Sequence, residues 1–335
     1  MARLDYVNAR LGARRARLLG AAGLRALLSC SSLEARIELL RQRGVCADLP
    51  ADLGRDPLAR VETELREGWR REAAAVGGDA EGARARGLLA AFLAMDDAAA
   101  VKAVVRGVAA GLPPERILAA APPAAGLPDA ALLAAASAAG VEAAVEALEA
   151  AGSSLAAPVR AALPLRAGGG LLPVEIAADR AAFARAREAC GGRGEDAALL
   201  RRHVEDRADA RNASTLLALG GAQPVGDLFV AGGRRIDGTA FGRLIGAPVV
   251  RLRAAIAAAF RVGEGELALP WAADRALERA VAAPLRRAAR SGPLSLAVPL
   301  SYLADRLAEV RRIAVVLRGA ALGLDGAEIL DLVEA

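Results

Sequence analysis

Residues 106–118 and 318–330 carry one pattern without a gap. Arg106, Gly107, Ala109, Gly111, Leu112, Ile117 and Leu118 recur as Arg318, Gly319, Ala321, Gly323, Leu324, Ile329 and Leu330, at a constant offset of 212 (318 − 106). Each copy of such a repeat has to be a supersecondary unit that buries a face against its neighbours. Both copies read as a long helix, a glycine-led turn and a short helix, the second opened by an Asp325–Glu328 capping box. Upstream, the same offset pairs Asp97 with Glu309 and Val101 with Ile313. A middle copy lies around Asp209, Arg211, Asn212, Leu216 and Leu217, with Asp209 aligned to Asp97 at an offset of 112 (209 − 97). A short helix near Ser31, Asp129 and Asp237 accompanies each copy, followed by Gly44, Gly140 and Gly246.

What fills the repeats is helix-forming. Hydrophobic residues make up 55% of the chain but aromatics only 3%, so alanine and leucine dominate and β-formers are scarce. Asp56–Pro57 places a cap acid before a first-turn proline, with Leu58, Val61, Leu65 and Trp69 on one face. Ser31 stands three residues before Glu34 as a second start signal, and Leu303, Leu307, Val310, Ile313 and Leu317 form a late apolar stripe. Gly77–Gly78, Gly168–Gly170, Gly191–Gly194 and Gly232–Gly233 read as breaks, and 119–128, with three prolines, as a connector. The fold class expected is all-α, in three diverged helical lobes at 1–110, 111–220 and 221–335.

Several function classes lack their residues. A phosphate-binding P-loop needs Lys followed by Ser or Thr, and the single lysine, Lys102, precedes Ala103. His203 is the only histidine, and its neighbours Arg201, Arg202, Glu205 and Asp206 read as an exposed helix face rather than a catalytic setting. Cys30, Cys46 and Cys190 include no Cys-x-x-Cys pair, so they read as buried or incidental thiols of a reducing cytosol, without a metal site. Arg10, Arg14, Arg15 and Arg17 form a basic run with no aromatic among them, a solvated or partner-facing edge rather than a nucleic-acid surface. Trp69 and Trp271 read as core anchors. Asp96–Asp97 has a faint likeness to a magnesium-binding acidic helix, but Ala100 stands where a third carboxylate is needed; the plainer reading pairs these acids with Lys102 or Arg106. No catalytic, cofactor-binding or metal residue is expected, and no stretch is apolar enough for a membrane span.

The ordered motifs are similar to a known family. Phe92-Leu93 with Asp96-Asp97, Val101-Lys102 and Val104-Val105-Arg106, then Asp209 with Asn212 and Thr215-Leu216-Leu217, then Tyr302-Leu303 with Glu309-Val310-Arg311-Arg312-Ile313 resemble the C-type subunit (d-type in eukaryotes) of rotary V-type ATPases. The opening from Tyr6 to Arg10 and the Gly232–Gly233 turn match too, so the likeness runs from about Tyr6 to Leu330. Ala100, Ala218 and Arg312 depart from the pattern. The resemblance implies a pseudo-threefold funnel and a non-catalytic coupling role, passing torque between central-stalk subunits and the membrane proteolipid ring. It places the protein on the cytoplasmic face, peripheral to the membrane, with no nucleic acid and no small-molecule substrate. It makes Asp97, Lys102, Arg106, Asp209, Arg211, Asn212, Glu309, Arg312 and Arg318 lobe-shaping or partner-contacting residues. Two other classes share the same exclusions: a generic helical-repeat adaptor, and a degenerate prenyl-synthase-like enzyme built on Asp96–Asp97.

Overall fold

The computed structural model describes residues 4–80, 82–223 and 226–334; Met1–Arg3, Glu81, Pro224, Val225 and Ala335 lie outside the described residues. Among the described residues every regular element is helical. In chain order the α-helices are α1 (Asp5–Arg15), α2 (Gly20–Leu28), α3 (Leu33–Gln42), α4 (Pro57–Asp79), α5 (Ala83–Ala109), α6 (Pro114–Ala120), α7 (Asp129–Ala136), α8 (Val141–Ala150) and α9 (Ala156–Ala162). They continue with α10 (Arg166–Gly169), α11 (Leu172–Ala189), α12 (Glu195–Leu219), α13 (Gly238–Leu244), α14 (Val249–Phe260), α15 (Pro270–Ser291), α16 (Ala297–Ala321) and α17 (Gly326–Glu334).

Local chemistry sets several helix ends as read. Asp56 caps α4 through the Ala59 amide, with Pro57 in the first turn. Asp325 and Glu328 exchange hydrogen bonds at 2.7 and 3.0 Å to open α17. The cap of α3 falls one residue later than the Ser31 signal: Ser32 accepts from the Ala35 amide at 3.2 Å. Gly77 and Gly78 do not break the chain but lie within the last turn of α4. That helix holds because Val61, Leu65 and Trp69 are fully buried along its face.

The gapless repeat is one packing solution used twice. At Gly107 an added Cβ would lie 2.4 Å from Ile117, and at Gly319 the same atom would lie 2.7 Å from Ile329. Only glycine lets each long helix come this close to the isoleucine of the short helix that follows. The turns close alike, Leu112 N–H on the Gly107 carbonyl at 2.9 Å and Leu324 N–H on that of Gly319 at 3.0 Å. The middle copy carries Leu219 at the matching position (107 + 112), and the described chain after it, up to Asp237, forms no helix. A leucine side chain fills the space that an inserted isoleucine would need.

Long helices pack in four pairs: α5 lies along α11, α12 along α15, α15 along α16, and α16 along α4. The α16/α4 pair joins the two ends of the sequence, since α1, α2 and α3 also pack on α16. Buried side chains form two clusters. One runs from Leu4 to Met95 and resumes from Ile176 to Val333; the other spans Ala98 to Ala182. Helices α5 and α11 pass through both clusters and tie them together. No helix of the described residues is long and apolar enough to cross a membrane.

Candidate functional site

The three aligned acids do one job. Asp97 on α5 accepts the Gly126 amide at 3.2 Å, just ahead of α7. Asp209 on α12, fully buried, accepts the amides of Arg234, Arg235 and Ile236 at 2.8–3.0 Å, just ahead of α13. Glu309 on α16 accepts the Leu19 amide, just ahead of α2, while its other oxygen takes Arg306. Each long helix thus uses a carboxylate to latch the backbone that leads into a short helix. Close approach again calls for glycine: a Cβ would stand 2.5 Å from Asp97 Oδ2 at Gly126 and 2.0 Å from Asp209 Oδ1 at Gly233. Charge-assisted bonds of this kind are about twice as strong as neutral ones.

The aligned basic residues bridge helix pairs. Arg106 grips Glu175 of α11 through two nitrogens, and Arg318 grips Glu62 of α4, with both carboxylates buried. The middle copy has Ala218 at this position (106 + 112) and joins α12 to α15 through Ser214 and Asp274 at 2.7 Å instead. Lys102 donates to Asp179 of α11 at 2.6 Å. Burial holds its ammonium below the usual lysine value, against the pull of Asp179. The acids therefore do not pair along α5 as their spacing indicates: Asp97 takes a backbone amide, Asp96 takes Arg207 of α12 at 2.9 Å, and Lys102 and Arg106 reach across to α11. An i,i+4 pair within one exposed helix contributes little, whereas these contacts join separate elements and are partly desolvated.

Asp179 also meets Arg211 of α12, and Arg311 of α16 meets Glu278 of α15 at 2.7 Å. Arg207, Arg211 and Arg311 keep between a fifth and a third of their side-chain surface, at 24%, 23% and 32%. They tie α12 to α5 and α11, and α16 to α15, while remaining in contact with solvent. Of the aligned set, Asn212 is wholly buried and ties Val230 and Ile236 to α12, sharing the loop that Asp209 holds. Arg312 occupies the matching position of the third copy and makes no such contact. Sequence reasoning does not find the partners Glu62, Glu175 and Asp179. Their one signal is spacing: Glu175 and Asp179, like Lys102 and Arg106, stand four residues apart.

Three further expectations change. His203 is buried against the Phe92 ring, 5.2 Å between centroids, and burial pushes its imidazole down to about 3. Trp69 is a core residue, but Trp271 is 37% exposed at the first turn of α15. Three arginines of α1 pair with acids of other helices: Arg10 meets Asp79, Arg14 meets Glu72, and Arg15 meets Asp305. The described cysteines are all unpaired, and no group of three or more described His, Cys, Asp or Glu side chains is placed to hold a metal.

No curated protein matches the chain. A family model described as ATP synthase (C/AC39) subunit matches residues 7–332. That span includes all three acid latches and both glycine–isoleucine contacts, so the chain belongs to the C/AC39 subunit family of V-type ATPases and ATP synthases.

Proposed function

We propose that this protein is a non-catalytic coupling subunit of a rotary V-type ATPase or synthase, joining the central stalk to the membrane proteolipid ring and transmitting torque for ion transport. The observation that carries the reading is the fate of the aligned acids: Asp97, Asp209 and Glu309 are all spent on latching backbone. A coupler needs stiffness, and charges used this way supply stiffness rather than chemistry. Asp96, engaged by Arg207, is likewise committed to a structural contact.

Three lobes, at 1–110, 111–220 and 221–335, form part of the proposal, arranged as a pseudo-threefold funnel. The packings α5/α11, α12/α15 and α16/α4 each join two of these ranges, and α1–α3 on α16 add to the contact between the first and the third. The stalk and ring are the partners, placing the protein peripherally on the cytoplasmic side. Leu112 and Leu324, equivalent in the repeat and 43% and 37% exposed, offer apolar contact points beside Leu322 at 79%.

Co-expression with the stalk and ring subunits of the same organism tests the role. The chain should co-purify with both, and Leu322→Asp with Leu324→Asp should weaken capture while leaving the helical content unchanged. Failure of the unaltered chain to associate with either, under conditions where those subunits assemble, rejects it.

A further inference from the structure

Position 312 is used unlike its counterparts. In the middle copy Asn212 spends its amide on the Val230 and Ile236 backbone. In the first copy the position is Ala100, buried in the core. In the third, Arg312 makes no hydrogen bond or ion pair with any described residue. Its side chain lines a cavity of about 230 Å³ between α2, α15 and α16, together with Arg286, Asp305, Ala308, Glu309 and Leu24. One water occupies about 30 Å³ of liquid, so there is room for a tetrahedral ion.

The lining carries two arginines, Arg286 and Arg312, and two carboxylates, Asp305 and Glu309, and both carboxylates already have cationic partners. Glu309 is taken by Arg306 and the Leu19 amide. Asp305 is taken by Arg286 at 2.8 Å and Arg15 at 3.5 Å. Neither carboxylate is left to match Arg312. Nearby on α15, Arg275 donates to the Val333 carbonyl but has a buried Nη1 with no partner. Burial, then the charges of Arg312 and Arg279, hold the Arg275 guanidinium below its usual value. The carboxylate acting on it, Glu278, is already engaged by Arg311, and Arg279 is engaged by Glu266. Two guanidinium groups therefore face each other's charge with little compensation.

We propose that the cavity between α2, α15 and α16 binds a small doubly charged oxyanion of the phosphate or sulfate type, with Arg312 as its principal contact and Arg286 in support. An anion there offsets the unpaired Arg312 and with it the repulsion that Arg312 exerts on Arg275, and a guanidinium fork matches two oxygens of a tetrahedral ion. The site is independent of the coupling role and stands or falls without it.

The test is thermal unfolding and calorimetric titration of the full chain with inorganic phosphate, replacing chloride at constant ionic strength. Phosphate and sulfate also stabilise proteins generally by exclusion from the surface, so saturation and variant dependence are the readouts. Phosphate and sulfate should give a saturable rise in Tm that acetate does not. Arg312→Gln should weaken phosphate binding about tenfold or more, the loss of one charge-assisted contact. Ala308→Leu, which fills the cavity and keeps every arginine, should do the same, and carries the test if Arg312→Gln does not fold. Arg166→Gln, whose partner Glu142 lies outside this cavity and its charged neighbours, should bind as the unaltered chain does. A rise that never saturates, or equal phosphate affinity in Ala308→Leu and the unaltered chain, overturns the proposal.

Discussion

Burial moves the Asp97 carboxyl from 3.8 to about 6 and the His203 imidazole from 6.5 to about 3, and these shifts act on stability in opposite senses. For Asp97 the folded chain binds the proton more tightly than the unfolded one. Its contribution is greatest below about pH 4 and is lost as pH rises to about 6. For His203 the unfolded chain takes the proton first, so stability is full above about pH 6.5 and is lost as pH falls toward about 3. Between about pH 4 and 6 the two partly cancel, and single variants are needed to separate them. Asp97→Asn retains an acceptor for the Gly126 amide and removes the desolvated charge. It should raise unfolding free energy by roughly 2 kcal/mol above about pH 7 and change it little near pH 4. His203→Leu should flatten the acid limb. Urea unfolding of both variants at several pH values checks this, and an Asp97→Asn effect independent of pH would rule the account out.

Among the elements, the latches should differ in strength because their hydrogen bonds differ in number. Asp209 is fully buried and holds three amides, Glu309 holds one amide and an arginine, and Asp97 holds the Gly126 amide at 3.2 Å with a weaker pull from that of Ala125. Removing Asp209 strands three donors: the buried Ile236 amide costs about 1–3 kcal/mol when left unpaired, and the part-buried amides of Arg234 and Arg235 cost less. Asp209→Ala should therefore be the most destabilising of the three alanine variants, with Asp97→Ala the mildest. Hydrogen exchange should show lost protection at residues 234–236 in the first and at 126 in the second. Loss of protection spread evenly over the chain would count against local latches. How much of this is legible in the sequence follows from distance along the chain. Asp56–Pro57 and Asp325–Glu328 are readable because a cap and its target lie within three residues. The Gly107–Ile117 contact announces itself by recurring at Gly319–Ile329. By contrast, the amide that Asp97 accepts lies 29 residues on, and nothing local names it. His203 misleads because its sequence neighbours are charged, while the helix turns it toward Phe92. Trp271 misleads in the other direction, since a large apolar ring suggests a core place and a helix's first turn does not supply one.

Across the whole molecule, the decisive packing is between the two ends of the chain. Asn8 donates to the carbonyls of Pro293 and Ser295 at 2.9 and 3.2 Å. Arg15 reaches the Ser301 hydroxyl at 3.0 Å, Tyr302 and Arg306 converge on Glu72, and Arg318 grips Glu62. Each of these contacts spans more than two hundred residues, so loop closure makes them entropically costly to form. They stand because α16 offers Leu303, Leu307, Val310, Ile313 and Leu317 to a shared core. Removing residues 1–81 would take α1–α4 from α16 and expose this stripe. Burial of one such side chain contributes about 1.5–3 kcal/mol, and a domain's whole margin is only about 5–15 kcal/mol. A chain starting at Gly82 should therefore lose cooperative unfolding and aggregate, although it keeps both α5/α11 and α12/α15. Supplying residues 1–81 as a separate polypeptide should restore solubility, because these contacts are non-covalent and do not depend on an unbroken chain. Gel filtration and thermal melts of the two pieces, alone and co-expressed, decide it. A truncated chain that melts cooperatively by itself would show the C-terminal helices to be an independent unit and the closure of the chain on itself to be dispensable.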